Sequence, residues 1–116
     1  MSDVKNKHLP LEDRPTCVYR AYTADGELLY VGIAQHLYNR LRGHRKNSAW
    51  YPGAHIAQVE WYEDRRQAYA VESWAINYED PPWNVEAQWK FVPFILPIPV
   101  RSESVHLWHD DGGVFD

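Results

Sequence analysis

Apolar and polar positions change their period along the chain, and each change marks an element. Between Ile56 and Tyr62 the residues Ala57, Val59 and Trp61 alternate with Gln58 and Glu60. A half-buried strand has this period of two. Thr16–Tyr22, rich in Thr, Val and Tyr, predicts an earlier strand. Leu28–Gly32 predicts its hairpin partner, because Thr23-Ala24-Asp25-Gly26-Glu27 lies between them and Asp-Gly is a tight-turn signal. Tyr19 and Tyr30 can then share a face, although the sequence leaves the register open. From Ala34 to about Arg45 the spacing becomes helical. Leu37 and Leu41, one step apart, face the core, and Arg40 and His44, also four apart, stack on an adjacent face. Lys46 to Ala54 predicts a loop around Trp50-Tyr51-Pro52-Gly53.

A second helix is predicted from Asp64, an N-cap with Gln67 three residues on as capping-box partner, to about Tyr78. Ala68, Val71, Ala75 and Tyr78 form its apolar stripe, and Pro81-Pro82 ends it. Pro93, Pro97 and Pro99 bar Phe91–Val100 from an inner strand and predict an extended edge or a packed arm, followed by an acidic tail from Ser102. The element order implies an α+β fold: a small, mostly antiparallel three-stranded sheet flanked by helices. With 116 residues the chain holds one core. The expected organisation is a loose arm over 1–15, a domain over 16–85, and an extension over 86–116 packed on it or partly loose.

Composition sharpens this picture in two places. Aromatics reach 15%, with 6 Trp and 8 Tyr, enough large rings to fill a thin core and to stack on bases besides. The single cysteine, Cys17, lies in an apolar strand pattern, so no disulfide within the chain is expected and the thiol reads as a small buried hydrophobe. Met1–Pro10 carries no apolar signal segment and no apolar run approaches membrane-spanning length, so a cytoplasmic, membrane-free protein is expected. The net charge of −4 argues mildly against nucleic acid, but its distribution argues the other way. Leu28 to Val59 contains no Asp or Glu while it carries Arg40, Arg42, Arg45 and Lys46. Those last three cations, with His55, are candidate contacts to a phosphate backbone.

The residues that carry chemistry are spread through these elements. Cys17-Val18-Tyr19 and Tyr30-Val31-Gly32 lie on the hairpin, Asn39-Arg40-Leu41 and then His44 on the first helix, Glu72 on the second, and Asn84 after the proline pair. In this order they resemble the GIY-YIG nuclease domain, over roughly Thr16 to Val85. Cys17 stands where the family's first half-motif opens with glycine, and Ile33 stands where some members carry lysine. The histidine at the position of His44 is a feature of homing and restriction members. The resemblance implies a divalent-metal-dependent DNA endonuclease, with Glu72 as metal ligand for Mg2+ or Mn2+ and Asn84 as a supporting residue. Many proteins with this domain attach a separate DNA-binding module, so a homodimer or a partner protein is an expected source of specificity.

The chemistry agrees with that expectation. Hydrolysing a phosphodiester needs an attacking water, charge neutralisation at the phosphate and help for the leaving oxygen. Arg40 offers a permanently charged fork of donors. Glu72 is a hard oxygen ligand. Tyr19 is the expected general base, with His44 to hold or relay the proton and Tyr30 to orient water or phosphate. Each residue alone has an ordinary explanation, such as packing for a strand tyrosine or solvation for a helix arginine. Their joint occurrence carries the reading. The alternatives are a catalytically inactive nucleic-acid-binding or adaptor module of the same fold, and an interaction domain using Trp83, Trp89 and Trp108. The histidines make only a weak zinc signal, and no nucleophile elbow or phosphate-cradling glycine loop is present.

Overall fold

The computed structural model describes residues 9–84 and 95–109. Strands β1 (Thr16–Tyr22), β2 (Leu28–Ala34), β3 (Ile56–Tyr62) and β4 (Arg101–His106) form one antiparallel sheet in the order β2-β1-β3-β4. Helices α1 (Leu37–Asn47) and α2 (Arg65–Glu79) cover its two faces. The α+β class read from the sequence is therefore correct, with a fourth strand added.

β1 is buried along most of its length because both faces are covered, and its inward positions split between two cores. Cys17, Tyr19 and Ala21 meet Leu37 and Leu41 of α1 together with Trp50, Tyr51, Ala57 and Val59. Val18 joins Val31, Tyr62, Ala68, Val71 and Ala75 under α2. The hairpin closes as expected: Gly26 takes φ 87°, and Thr23 and Glu27 pair through Thr23 N–H to Glu27 O at 2.9 Å.

The first helix starts three residues later than its predicted onset. Ala34 pairs with Cys17 as the last residue of β2, and the chain must clear the sheet before it can turn. The Asp64 cap forms as predicted, with its carboxylate accepting from Gln67 N at 2.9 Å. Tyr78 departs from the predicted stripe, being 68% exposed. Stepping from Ala68, Val71 and Ala75, the helical period returns to the sheet at Glu79, which binds Arg20 through two oxygens at 2.8 and 3.0 Å. Arg20 also reaches Glu60 at 3.0 Å, so this apolar face closes with an ion-pair network.

β4 was hidden in the supposed tail because only Val105 of its inward residues is apolar. Glu103 instead accepts from the Trp61 indole at 2.9 Å, and the Arg101 guanidinium stands 4.8 Å above the Trp61 ring. Of the N-terminal arm, the described part forms a short 3-10 turn at Leu11–Asp13 and is tied to α2 by Asp13–Arg66 at 2.9 Å. Residues 91–94 of the proline-rich segment, and Trp89, lie outside the described residues; Ile95 and Ile98 are exposed.

Removing the α2 cap tests this frame. Asp64→Ala is expected to lower unfolding stability by about 1 kcal/mol, read as a shift of the urea midpoint at constant slope.

Candidate active site

The register of β1 and β2 places Tyr19 opposite Gly32 and Ala21 opposite Tyr30. Both tyrosines therefore project from the α1 face as diagonal neighbours, with ring centroids 6.2 Å apart. Gly32 makes this possible. A Cβ at that position would lie 2.5 Å from Tyr19 Oη, 2.6 Å from Tyr19 Cζ and 2.9 Å from Tyr30 Cε2. The phenol of Tyr19 thus lies across bare backbone and is fully buried. Cys17, two residues earlier, is buried too, and burial pushes its thiol up to about 12, so it is inert at neutral pH.

α1 brings Arg40 and His44 onto the same cluster. His44 Nε2 is 2.7 Å from Tyr19 Oη, and His44 Nδ1 is 2.5 Å from Ser48 Oγ. Burial, and then the neighbouring Tyr30, raise the Tyr19 hydroxyl above its ordinary pKa, while Arg40 opposes them. His44 is pushed down to about 4, first by burial and then by the Arg40 charge. Near neutrality the phenol therefore keeps its proton and the imidazole is uncharged. With Nδ1 protonated, Nδ1–H donates to Ser48 Oγ and Nε2 is left to accept from Tyr19 Oη–H; with Nε2 protonated, the two roles reverse. Partial burial works against the Arg40 charge, but the two phenols hold its pKa above the usual value.

Trp50 locks the cluster from the loop. Its ring stacks on Tyr30 with centroids 4.9 Å apart and 14° between planes, and it meets His44 at 4.7 Å. Beside these rings opens a cleft of about 380 Å³ whose lining includes Tyr30, Arg40, His44, Asn47, Trp50 and Trp83, and, among the described residues, no acidic one.

The two remaining candidates stand apart from this cleft. Asn84 does not touch Glu72. Its Oδ1 accepts from Val31 N at 2.9 Å and its Nδ2 donates to Val31 O at 2.9 Å, so it grips β2 between Tyr30 and Gly32. Glu72 belongs to α2, in the layer on the other face of the sheet, and does not line the cleft. Burial pushes its carboxyl up to about 7, with Arg65 opposing. Among the described residues it makes no hydrogen bond or ion pair, and no group of three His, Cys, Asp or Glu side chains is arranged to hold an ion. A desolvated, isolated carboxylate fits an open magnesium site, completed by water and substrate oxygens, and does not fit a closed protein cage.

The candidate phosphate contacts are dispersed. Arg42 and Lys46 are exposed on α1, with Arg42 bonded to Asn39 Oδ1 at 2.7 Å. Arg45 lies 5.5 Å above the Trp108 ring, and His55 packs edge-on to His106 away from α1. Sequence reasoning did not find Ser48. Its signal was a hydroxyl four residues after His44 at the end of the helix, where it also caps the chain through Ser48 N–H to His44 O.

An antiparallel α+β frame with two phenols, an imidazole and a guanidinium clustered beside one cleft has the fold and groups of a nuclease domain. The family model for the GIY-YIG catalytic domain matches residues 15–85, and the chain belongs to that family. It is also 32% identical over 75 residues to UvrABC system protein C of Saccharophagus degradans. That alignment covers 59% of this chain and 12% of the relative, so the chain spans a small part of that protein's length. No solved structure gives a significant match.

Two outcomes follow from the buried pair. Gly32→Ala is expected to displace the Tyr19 phenol and to cost about 1–3 kcal/mol of stability, as overpacking does. A nitrogen-15 spectrum of His44 should then show the imidazole pKa returning towards 6.5 from about 4. In the intact protein the unfolded histidine binds a proton that the folded one refuses between those two values. Stability must therefore fall as pH drops from 6.5 to 4. Urea midpoints across that range should show a shallower fall for His44→Gln; an unchanged slope would remove His44 from the acid response.

Proposed function

We propose that this chain is a divalent-metal-dependent DNA endonuclease. The observation that carries the reading is the Tyr19 hydroxyl 2.7 Å from Nε2 of a neutral His44, beside Arg40 and Tyr30. A phenol is a poor base until its proton has somewhere to go. In the tautomer that carries its proton on Nδ1, towards Ser48, Nε2 is free to take the phenolic proton as Tyr19 Oη accepts one from water. Arg40 clamps the phosphate oxygens, where its fork neutralises charge that grows during the reaction. Tyr30, on the cleft wall, orients the water or the phosphate. Glu72 would hold Mg2+ or Mn2+. The ion, when bound, supplies Lewis-acid stabilisation of the phosphate and leaving oxygen. Asn84 positions rather than reacts, by fixing the Val31 backbone that carries Tyr30 and Gly32. Arg42, Arg45, Lys46 and His55 are the contacts assigned to the rest of the DNA backbone. A second copy of the chain or a partner protein would supply specificity, and the working place would be the cytoplasm. Among the described residues no helix is long and apolar enough to cross a membrane.

One observation favours a second reading. Tyr19 is fully buried and does not line the cleft, as expected of a module that binds nucleic acid, or serves as an adaptor, without cutting.

Cleavage of single-stranded, duplex and branched DNA with Mg2+ or Mn2+ separates the two. Arg40→Ala should lose about 2–4 kcal/mol of transition-state stabilisation, roughly 30- to 1000-fold in rate. Glu72→Ala should abolish cutting and also the rise in melting temperature that Mg2+ gives the intact protein. Full activity in Glu72→Ala sinks the metal assignment. Binding without cutting on every substrate and metal would establish the inactive module instead.

A further inference from the structure

Trp83 shares the cleft with Tyr30, Arg40 and His44, yet it is 45% exposed. Its main chain is held firmly. Trp83 N–H donates to Leu29 O at 3.0 Å, and the next residue, Asn84, bonds Val31 in both directions at 2.9 Å. Pro81 and Pro82 stiffen the approach. A large ring is thus fixed on the rim of the candidate active site with nearly half its surface in water. Trp50, also in the lining, is unavailable, because it is 5% exposed and stacked on Tyr30.

The rest of the cleft narrows what such a ring can meet. Asn47 lines it from the end of α1, with a carboxamide that has no hydrogen-bond partner among the described residues. Arg40 supplies positive charge, and among the described residues no carboxylate lines the wall. A flat π face, an amide that both donates and accepts, and a guanidinium suit one nucleotide: base against indole, base edge against amide, phosphate towards Arg40. A paired base inside a duplex is stacked on both faces, so only an unpaired nucleotide can use the platform.

We propose that Trp83 and Asn47 form a subsite for one unpaired nucleobase next to the scissile phosphate, which makes single-stranded or frayed DNA the preferred substrate. This deepens the endonuclease reading and rests on it for the phosphate at Arg40.

The test separates binding from cutting by working in EDTA. Protein labelled at the tryptophan indole nitrogens is titrated with the octanucleotide dT8, with an abasic chain of the same length and charge, and with a blunt hairpin duplex. The Trp83 indole resonance, identified by its loss in Trp83→Phe, should shift saturably with dT8 and not with the abasic chain or the hairpin. Trp83→Ala should weaken dT8 binding by about 5- to 100-fold, and Asn47→Ala should change the ranking of dT8 against dA8. A urea midpoint establishes that Trp83→Ala is folded; if it is not, the smaller loss in Trp83→Phe carries the comparison. Equal binding of dT8 and the abasic chain, or unchanged affinity in both Trp83 variants, overturns the subsite. An unchanged ranking removes Asn47 from it. Cleavage followed in parallel with Mg2+ keeps the two ideas apart. A base-dependent Trp83 shift without any cleavage defeats the endonuclease reading and leaves the subsite standing, whereas cleavage indifferent to Trp83 does the reverse.

Discussion

The fold depends on one close approach, the Tyr19 phenol laid across the bare backbone of Gly32. From that position the hydroxyl reaches across the core to His44 on α1, and His44 reaches on to Ser48 where the helix ends. Central strand, edge strand, helix and following loop are thereby joined through a single polar path inside an aromatic cluster. Low dielectric gives the path its character. Taking water from the phenol and the imidazole leaves both uncharged, so they are bound by directed hydrogen bonds with no ion pair between them. Any side chain at position 32 would push the ring away and leave two buried polar groups without partners, a cost beyond the lost contact itself.

The two faces of the sheet are built on different principles. Under α1, rings from Tyr30, Trp50, His44 and Tyr51 pack edge and face, and the boundary with solvent carries cations and amides. Under α2 the core is mostly aliphatic, with Tyr62 buried in it, and its border is sealed where Arg20 is held by Glu79 and Glu60, the latter also accepting from Tyr62 at 3.0 Å. With Arg20, Glu60, Glu79 and Tyr62 satisfied by one another on that side, the cluster of titratable rings and cations lies on the α1 face. Glu72 and Ser73 are exceptions in this layer, a desolvated carboxylate and a buried hydroxyl without a hydrogen-bond partner among the described residues.

Much of this was legible in the chain because local signals and tertiary needs agree. The Asp-Gly turn, the alternation through Val59 and the Asp64 cap each specified an element that the structure contains. The grouping of Tyr19, Tyr30, Arg40 and His44 was visible as a resemblance, although strand periodicity alone left the register of the two tyrosines open. Other features were illegible for physical reasons. β4 carries Arg101 and Glu103 where apolar residues would be expected, their partner being the Trp61 ring, and a pattern of hydrophobicity cannot register a strand that sets charged side chains over an indole. Tyr78 looked like core because it is aromatic at a plausible step, but the helix returns to the sheet at Glu79. The grip of Asn84 on Val31 joins residues 53 apart in sequence, a separation at which no local signal survives.

That grip also bears on how the molecule behaves in a crowd of its own kind. β2 is an outer strand, and the outward amides and carbonyls of such a strand invite another chain to add itself. The Asn84 carboxamide imitates a peptide unit, giving Val31 one acceptor and one donor, while Trp83 N–H takes up Leu29 O. Two residues of a passing loop therefore act as the stub of a missing strand and leave the middle of that border with nothing to offer a template. At the opposite border, on the far side from the cleft, β4 has no neighbouring strand among the described residues.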